Sequence, residues 1–330
     1  MMLNSQTWQQ YPLIKDQLVA VNHTLQTHIN AAHPALQATL LTMANHGGKY
    51  LRPTLLLLMA KAINDQHDND QQLIHLASSI EVLHMASLIH DDIIDDSPMR
   101  RGAVSIQAQF GKDTAVYAGD YLFTVFFDLL IKSIHEDKYL QVNAQIMQRL
   151  LNGELGQMAL RFNTQQTLHQ YLRNINGKTA ALFQLAAREG AHFAGATPGM
   201  TVHAAKFGQN IGIAFQMLDD ILDYTGTSKL TKPVMEDLGT GVYSLPLLLA
   251  LQNPAIHQQL MTLLDKQYQL TLADMHTIQK LVIDSNALEQ SRQLAARFTN
   301  RALDHLNYLP KNQAREMLRQ LAHQLLKRVN

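Results

Sequence analysis

Apolar residues recur at three- and four-residue steps along almost the whole chain, and all nine prolines fall at the edges of these stretches rather than inside them. This is the periodicity of helices with one face buried. Proline, which lacks an N–H and clashes with the preceding turn, marks their boundaries. Leu73, Leu76, Ala77, Ile80, Leu83 and Ser87 show the pattern, as do Phe207, Ile211, Ala214, Phe215, Leu218 and Leu222. The spacing predicts helices over roughly 35–45, 51–65, 71–94, 114–133, 138–162, 165–174, 178–194, 200–224, 243–252, 255–268, 272–282, 286–306 and 311–328. Several are apolar nearly all round, as in the middle of a large bundle. Gly 16 and Pro 9 lie well below the usual combined share of about 12%, which excludes collagen-like chains and disfavours turn-rich sandwiches. No repeat, charge block or linker divides the chain, and the stretch Thr225 to Leu238 is its least helical part. The expected fold class is all-α, a single large helical bundle domain over 1–330.

Lys+Arg 27 balances Asp+Glu 27, so no general basic field attracts nucleic acid or anionic lipid. Cys 0 removes disulfides, thiol catalysis and thiolate metal sites, and suits a reducing cytoplasm. The start, MMLNSQTWQQYPLIKDQ, lacks the basic and apolar regions of a signal peptide. The longest apolar runs, Leu55 to Ala60 and Leu245 to Leu251, fall short of the roughly 20 residues that span a bilayer. A cytoplasmic helical enzyme or binding protein with no membrane span is expected.

Two acidic clusters end very apolar helices: Asp91, Asp92, Asp95 and Asp96 in MASLIHDDIIDD, and Asp219, Asp220 and Asp223 in AFQMLDDILDY. Residues four apart share a helix face, so Asp91 pairs with Asp95 and Asp219 with Asp223. Like charges so placed repel, and the helix dipole disfavours anions at that end, unless a cation neutralises them. Oxygen-only donor sets suit hard cations, and Mg²⁺ is usually held by a few carboxylates plus substrate phosphate oxygens. The bland alternative for one cluster is a solvated helix end; two of the same form weaken it.

Candidate anion sites accompany them. His46-Gly47-Gly48-Lys49-Tyr50-Leu51-Arg52-Pro53 joins a Gly-Gly turn to two cations three residues apart. Arg100-Arg101-Gly102 follows the first acidic cluster; its guanidiniums either bridge to those carboxylates or hold a diphosphate. Lys178-Thr179 follows Gly177 at an expected helix start, where backbone N–H groups favour anions. Gln216 shares the face of Asp219 and Asp223 as a neutral hydrogen-bonding group. His75, His84, His90-Asp91 and Asp120 superficially match the ligand set of all-α metal-dependent phosphohydrolases, but that option leaves the second acidic cluster and GGKYLRP without a role. A packed, hydrogen-bonded His90 is the plainer expectation.

Taken in order, GGKYLRP, HMASLIHDDIIDDSPMRRG, GKTA and FQMLDDILD resemble the trans-polyprenyl diphosphate synthase family over about 40–330. The resemblance implies an isoprenoid synthase-like bundle around a central apolar cavity, with two aspartate-rich motifs facing each other. It implies a homodimer, or a hetero-oligomer with a small regulatory subunit. The implied reaction is head-to-tail condensation of isopentenyl diphosphate with an allylic diphosphate. On it, Asp91, Asp95 and Asp219 bind Mg²⁺ with Asp92, Asp220 and Asp223 supporting, and the family's pattern implies three ions once substrate is bound. Arg100, Lys178, Thr179, Gln216 and Lys232 hold the allylic diphosphate. Lys49, Arg52, His84 and Arg101 hold isopentenyl diphosphate. The departing diphosphate takes the proton. Two departures stand out: Tyr50 replaces a basic residue common in members, and Val242 replaces a later lysine, while Lys232 remains.

In the family a bulky aromatic about five residues before the first aspartate stops chain growth; here that residue is Ala86, with Ser87 and Leu83 on the same wall. The resemblance therefore implies a long product of about six to eight isoprene units, unless Phe123, Phe126 or Phe127 forms a deeper floor. The stretch VLHMASLIHDDIIDD looks most like the catalytic component II of heptaprenyl diphosphate synthases, which implies menaquinone side-chain synthesis and, for product release, transient membrane contact. The alternatives are a short-chain farnesyl or geranylgeranyl synthase, a terpene cyclase and a non-catalytic prenyl-binding regulatory subunit.

Overall fold

The computed structural model describes residues 8–46, 50–66, 71–100, 102–225 and 235–327. In chain order these residues form α1 (Lys15–His28), α2 (Pro34–His46), α3 (Leu51–Ile63) and α4 (Gln71–Ile94). A small antiparallel hairpin, β1 (Met99–Arg100) and β2 (Ala103–Val104), pairs Met99 with Val104 and Arg100 with Ala103. Then follow α5 (Ile106–Phe110), α6 (Lys112–Ser133), α7 (Asp137–Met158), α8 (Leu168–Lys178), α9 (Ala180–Phe193) and α10 (Pro198–Thr225). The C-terminal part holds α11 (Glu236–Gly239), α12 (Leu245–Ala250), α13 (Pro254–Leu264), α14 (Leu272–Asp284), α15 (Ala287–Leu306) and α16 (Gln313–Leu326). The class is all-α, as the periodicity predicts.

Where boundaries differ from expectation, the cause is local. Helix α7 stops at Met158 rather than near 162, because Phe162 adopts φ 60 and its N–H turns to donate to Gly241 O at 2.8 Å. Helix α8 starts at Leu168 because Thr167 and Gln170 form a capping box, and it runs on to Lys178, beyond the expected 174. Helix α1 lies where the periodicity predicts nothing. Its Leu18, Val21 and Leu25 form a buried stripe, but Gln17, Asn22 and Thr24 are buried as well and dilute the apolar signal.

The contacts divide into two compact units that alternate along the chain: Met1–Ala144, Leu182–Ala205 and Leu306–Arg319 in the first, Gln145–Ala181, Lys206–His305 and Gln320–Asn330 in the second. In the first unit, α1, α3, α5 and α6 pack on α4. Gln72 Nε2 donates to Ser133 O at 2.6 Å at one end, and His90 Nε2 lies 3.3 Å from Asp120 Oδ1 at the other, so α4 and α6 run antiparallel. Tyr50, which stands where many family members carry a basic residue, is a core residue. Its hydroxyl donates to Ala44 O at 2.7 Å and accepts from Asn22 Nδ2 at 2.9 Å, and burial pushes the phenol pKa up. In the second unit α12 packs on α8 and α14, and Gln279 Nε2 donates to Tyr224 O at 2.8 Å. By length and composition α4 and α6 are apolar enough to cross a membrane, a property the run-length criterion did not show; within the fold 72% and 44% of their apolar windows are buried.

Glu189, on α9, is a fully buried acid apart from both acidic clusters. Its Oε1 accepts from Asn143 Nδ2 at 2.6 Å, and burial pushes its pKa up to about 8, opposed by Asn143 and Arg188. Glu189 Oε2 and Asn143 Oδ1 both lack a partner, and a proton on the acid supplies a donor. Because the folded pKa is raised, Glu189 contributes its full stability below the unfolded value of 4.5 and loses it as pH climbs to about 8. The slope is about 1.4 kcal/mol per pH unit. Glu189→Gln is expected to flatten this fall and to raise the midpoint of urea unfolding at pH 8; an unchanged pH profile would show that the acid is solvated.

Candidate active site

The first acidic cluster sits at the C-terminal end of α4. Asp91 is half-buried and Asp95, one residue past the helix, is exposed; the helical bond from Asp95 N to Asp91 O is 2.9 Å. Asp92 points the other way and is buried. Its Oδ1 accepts from Arg100 Nε at 2.7 Å and also from Arg100 Nη2. Burial raises the Asp92 pKa, and Arg100 opposes the rise. The hairpin β1–β2 folds Arg100 back over the helix end, so of the two alternatives left by the sequence the structure shows the ion pair. On the same helix Leu83 and Ala86 are buried, Ser87 is half-buried with its hydroxyl on His84 O at 2.8 Å, and His84 is half-buried. His90 pairs with Asp120 and sits 5.3 Å from the Phe123 ring, the packed role expected of it. Arg52, in the first turn of α3, stacks 4.8 Å above the Phe183 ring.

The second cluster ends α10. Asp219 and Asp223 are half-buried, whereas Asp220 is buried and fully engaged. Tyr171 Oη donates to Asp220 Oδ2 at 2.7 Å, Leu245 N to the same oxygen at 3.2 Å, and Gln216 Nε2 to Oδ1 at 2.9 Å. Burial and then the charge of Asp237 push the Asp220 pKa up to about 7, against the pull of these three donors. Gln216 Oε1 accepts from Thr179 Oγ1 at 2.6 Å. Asp223 Oδ1 accepts from Met235 N at 3.2 Å.

Lys178 lies in the same unit, at the end of α8 rather than at a helix start. Its Nζ is 3.0 Å from Glu154 Oε2 and 3.0 Å from Gln157 Oε1 on α7. The two helices cross at Gly153 and Gly177: a Cβ on Gly153 would lie 2.3 Å from Lys178 N, and one on Gly177 would lie 2.6 Å from Arg149 O. This close approach sets Lys178 beside Glu154. Glu154, Gln157 and Tyr171 went unmarked in the sequence; a polar pair three apart at the end of an amphipathic helix, NGELGQ, is the one local signal that points to the first two.

Lys49, Arg101 and Lys232 lie outside the described residues. Among the described residues no group of three or more His, Asp or Glu side chains gathers at metal-holding distance. The donor chemistry still fits Mg²⁺, which takes one or two carboxylates from the protein and completes its shell with water and phosphate oxygens. Each cluster presents one carboxylate pair four residues apart, Asp91 with Asp95 and Asp219 with Asp223, while Asp92 and Asp220 are turned inward onto protein donors.

Residues 33–282 match the model of the Polyprenyl synthetase family. Heptaprenyl diphosphate synthase component 2 of Geobacillus stearothermophilus is 34% identical over 319 residues, which cover 96% of this chain and 98% of that protein. A geranylgeranyl pyrophosphate synthase structure from Lactobacillus brevis ATCC 367 matches with a TM-score of 0.92 at 42% identity, covering 98% of this chain and 100% of that one. A polyprenyl synthase from Caulobacter crescentus CB15, solved with calcium and isoprenyl diphosphate, matches with a TM-score of 0.89 at 30% identity over 100% of this chain and 99% of that one.

Proposed function

The chain belongs to the polyprenyl synthetase family, whose members are trans-prenyltransferases, and on that premise we propose that it extends an allylic diphosphate with isopentenyl diphosphate to a long-chain polyprenyl diphosphate. The observation that carries the chemistry is the pair of acidic helix ends, each with two carboxylates four residues apart that keep some exposure beside a buried third carboxylate held by protein donors. Asp91 and Asp95, and Asp219 and Asp223, hold Mg²⁺, three ions when substrate is present by the family's pattern. Mg²⁺ held there would supply positive charge for the diphosphate charge that develops as the allylic C–O bond ionises.

The other residues bind and orient. Lys178, Thr179, Gln216, Arg100 and Lys232 hold the allylic diphosphate, and Lys49, Arg52, His84 and Arg101 hold isopentenyl diphosphate. Lys178 and Arg100, now bridged to Glu154 and Asp92, exchange or share those partners when the diphosphate arrives. The apolar helices exclude water, which would otherwise intercept the carbocation. Residues 1–330 act as one catalytic domain, since each compact unit is assembled from segments that alternate along the chain.

Small Ala86 supports a long product and a role in menaquinone side-chain synthesis. A shorter, geranylgeranyl-length product is the second reading, favoured by Phe126. Interpolating between the ties at Gln72–Ser133 and His90–Asp120 puts this buried ring near the level of Leu83, while Phe127 is exposed. Exposed Val116, Tyr117, Phe127 and Ile131 on α6 support a homodimer; a small regulatory subunit is the alternative occupant. The reaction occurs in the cytoplasm.

The test is the purified chain with Mg²⁺, labelled isopentenyl diphosphate and farnesyl diphosphate, with products dephosphorylated and sized. A ladder ending near seven units is expected. A stop at four units selects the second reading, activity only after a partner is added selects the hetero-oligomer, and diphosphate release without isopentenyl diphosphate removes the transferase assignment.

A further inference from the structure

Tyr171 is 4% exposed and donates to Asp220, itself 3% exposed, across α8 and α10. Leu245 N brings the start of α12 to the same carboxylate, and Gln216 closes the other oxygen. A carboxylate this deeply buried is tolerated only when donors surround it. Tyr171 supplies the one side-chain hydroxyl among the three donors. Beside them lies a cavity of about 20 Å³, lined by Tyr171, Asn174, Asp220, Asp237 and Tyr243 among others. That is room for a single water. Tyr243 Oη and Asn174 Nδ2, on two of the lining residues, are buried without hydrogen-bond partners, in residues 2% and 4% exposed. Groups of this kind are ordinarily satisfied by ordered water.

We propose that Tyr171 is a positioning residue for the second acidic cluster, and that one ordered water in the adjoining cavity, bonded to Tyr243 Oη and Asn174 Nδ2, completes the scaffold that aims it. Asp219 and Asp223 flank Asp220 on the last turns of α10, so the direction of their carboxylates depends on how firmly that helix end is clamped at Asp220. Without the phenol hydroxyl, Asp220 Oδ2 keeps only the backbone N–H of Leu245, and Asp220 loses its direct bond to α8, leaving Thr179 with Gln216 as the tie at that level. The metal role of Asp219 and Asp223 comes from the proposed function, and the inference rests on it.

Tyr171→Phe keeps the ring and deletes only the hydroxyl. Mg²⁺ binding in the presence of inorganic diphosphate, measured by titration calorimetry on the full chain, is expected to weaken about tenfold. The Mg²⁺ concentration for half-maximal turnover should rise in parallel, with KM for isopentenyl diphosphate unchanged. A merely structural tyrosine lowers the melting temperature and leaves Mg²⁺ affinity alone; that outcome overturns the positioning role. Should the variant fold poorly, Tyr243→Phe tests the same scaffold from the water side and is expected to weaken Mg²⁺ binding in the same direction, an unchanged affinity counting against the scaffold. A crystal structure should show water density within about 3.2 Å of Tyr243 Oη, and a dry cavity there overturns the water. None of the binding or crystallographic readouts needs turnover. A chain that binds Mg²⁺ and diphosphate yet shows no isopentenyl-dependent release loses the transferase reading and keeps this one.

Discussion

Asp219→Ala is expected to lower turnover by about a thousandfold or more while the chain keeps its fold. Asp219 is half-buried at the end of α10, where the helix dipole and the neighbouring Asp220 and Asp223 already disfavour a negative charge. Removing it therefore leaves stability in metal-free buffer unchanged or slightly raised. Asp91→Ala at the end of α4 should behave alike, for the same reasons. Asp220→Ala should behave differently, since it strands Tyr171 Oη, Gln216 Nε2 and Leu245 N inside the protein. Stranding even one or two buried donors costs about 2–4 kcal/mol of stability. Steady-state rates at saturating Mg²⁺, with thermal melts run with and without Mg²⁺ and inorganic diphosphate, separate the two classes. The parent chain should melt higher with both ligands and Asp219→Ala should not. Near-normal rates for Asp219→Ala and Asp91→Ala would remove the metal assignment.

Ala86→Tyr is expected to shorten the product sharply. Ala86 is fully buried on α4, five residues before Asp91, so on the proposed reading a phenol ring there would intrude on the growing chain below the proposed metal site. The site is closely packed, so the larger ring carries a strain cost of about 1–3 kcal/mol, and a melt must accompany the assay. Phe126→Ala acts in the opposite sense: if that ring is the floor, its removal lengthens the product. Both variants are read by sizing the dephosphorylated ladder. A folded Ala86→Tyr enzyme with an unchanged product would place the growing chain along another wall.

Much of this protein was legible in one dimension. Helix α4 was predicted at 71–94 and spans Gln71–Ile94, because its apolar positions are nearly continuous and its ends are marked by polar residues. The order of GGKYLRP, the two acidic clusters and GKTA identified the family, since motifs that close to one another in kind carry their chemistry in local sequence. Helical spacing also showed that Asp91 and Asp95 share a face, as do Asp219 and Asp223.

What spacing cannot show is which neighbour each face meets. Asp91 and Asp92 are adjacent in sequence, yet one is half-buried and the other is locked to Arg100 by a two-strand hairpin that no periodicity marks. Asp219 and Asp220 divide in the same way, and the partner that decides it, Tyr171, is 49 residues distant along the chain. Lys178 meets Glu154 only because two glycines let their helices cross at backbone contact. The sequence by itself determined the helices and the chemical type of the site, because both follow from local periodicity and residue identity. The tertiary structure alone decided which carboxylates are buried onto protein donors and which stay partly exposed, because burial depends on donors brought from distant segments, and a buried carboxylate is stable only where they arrive.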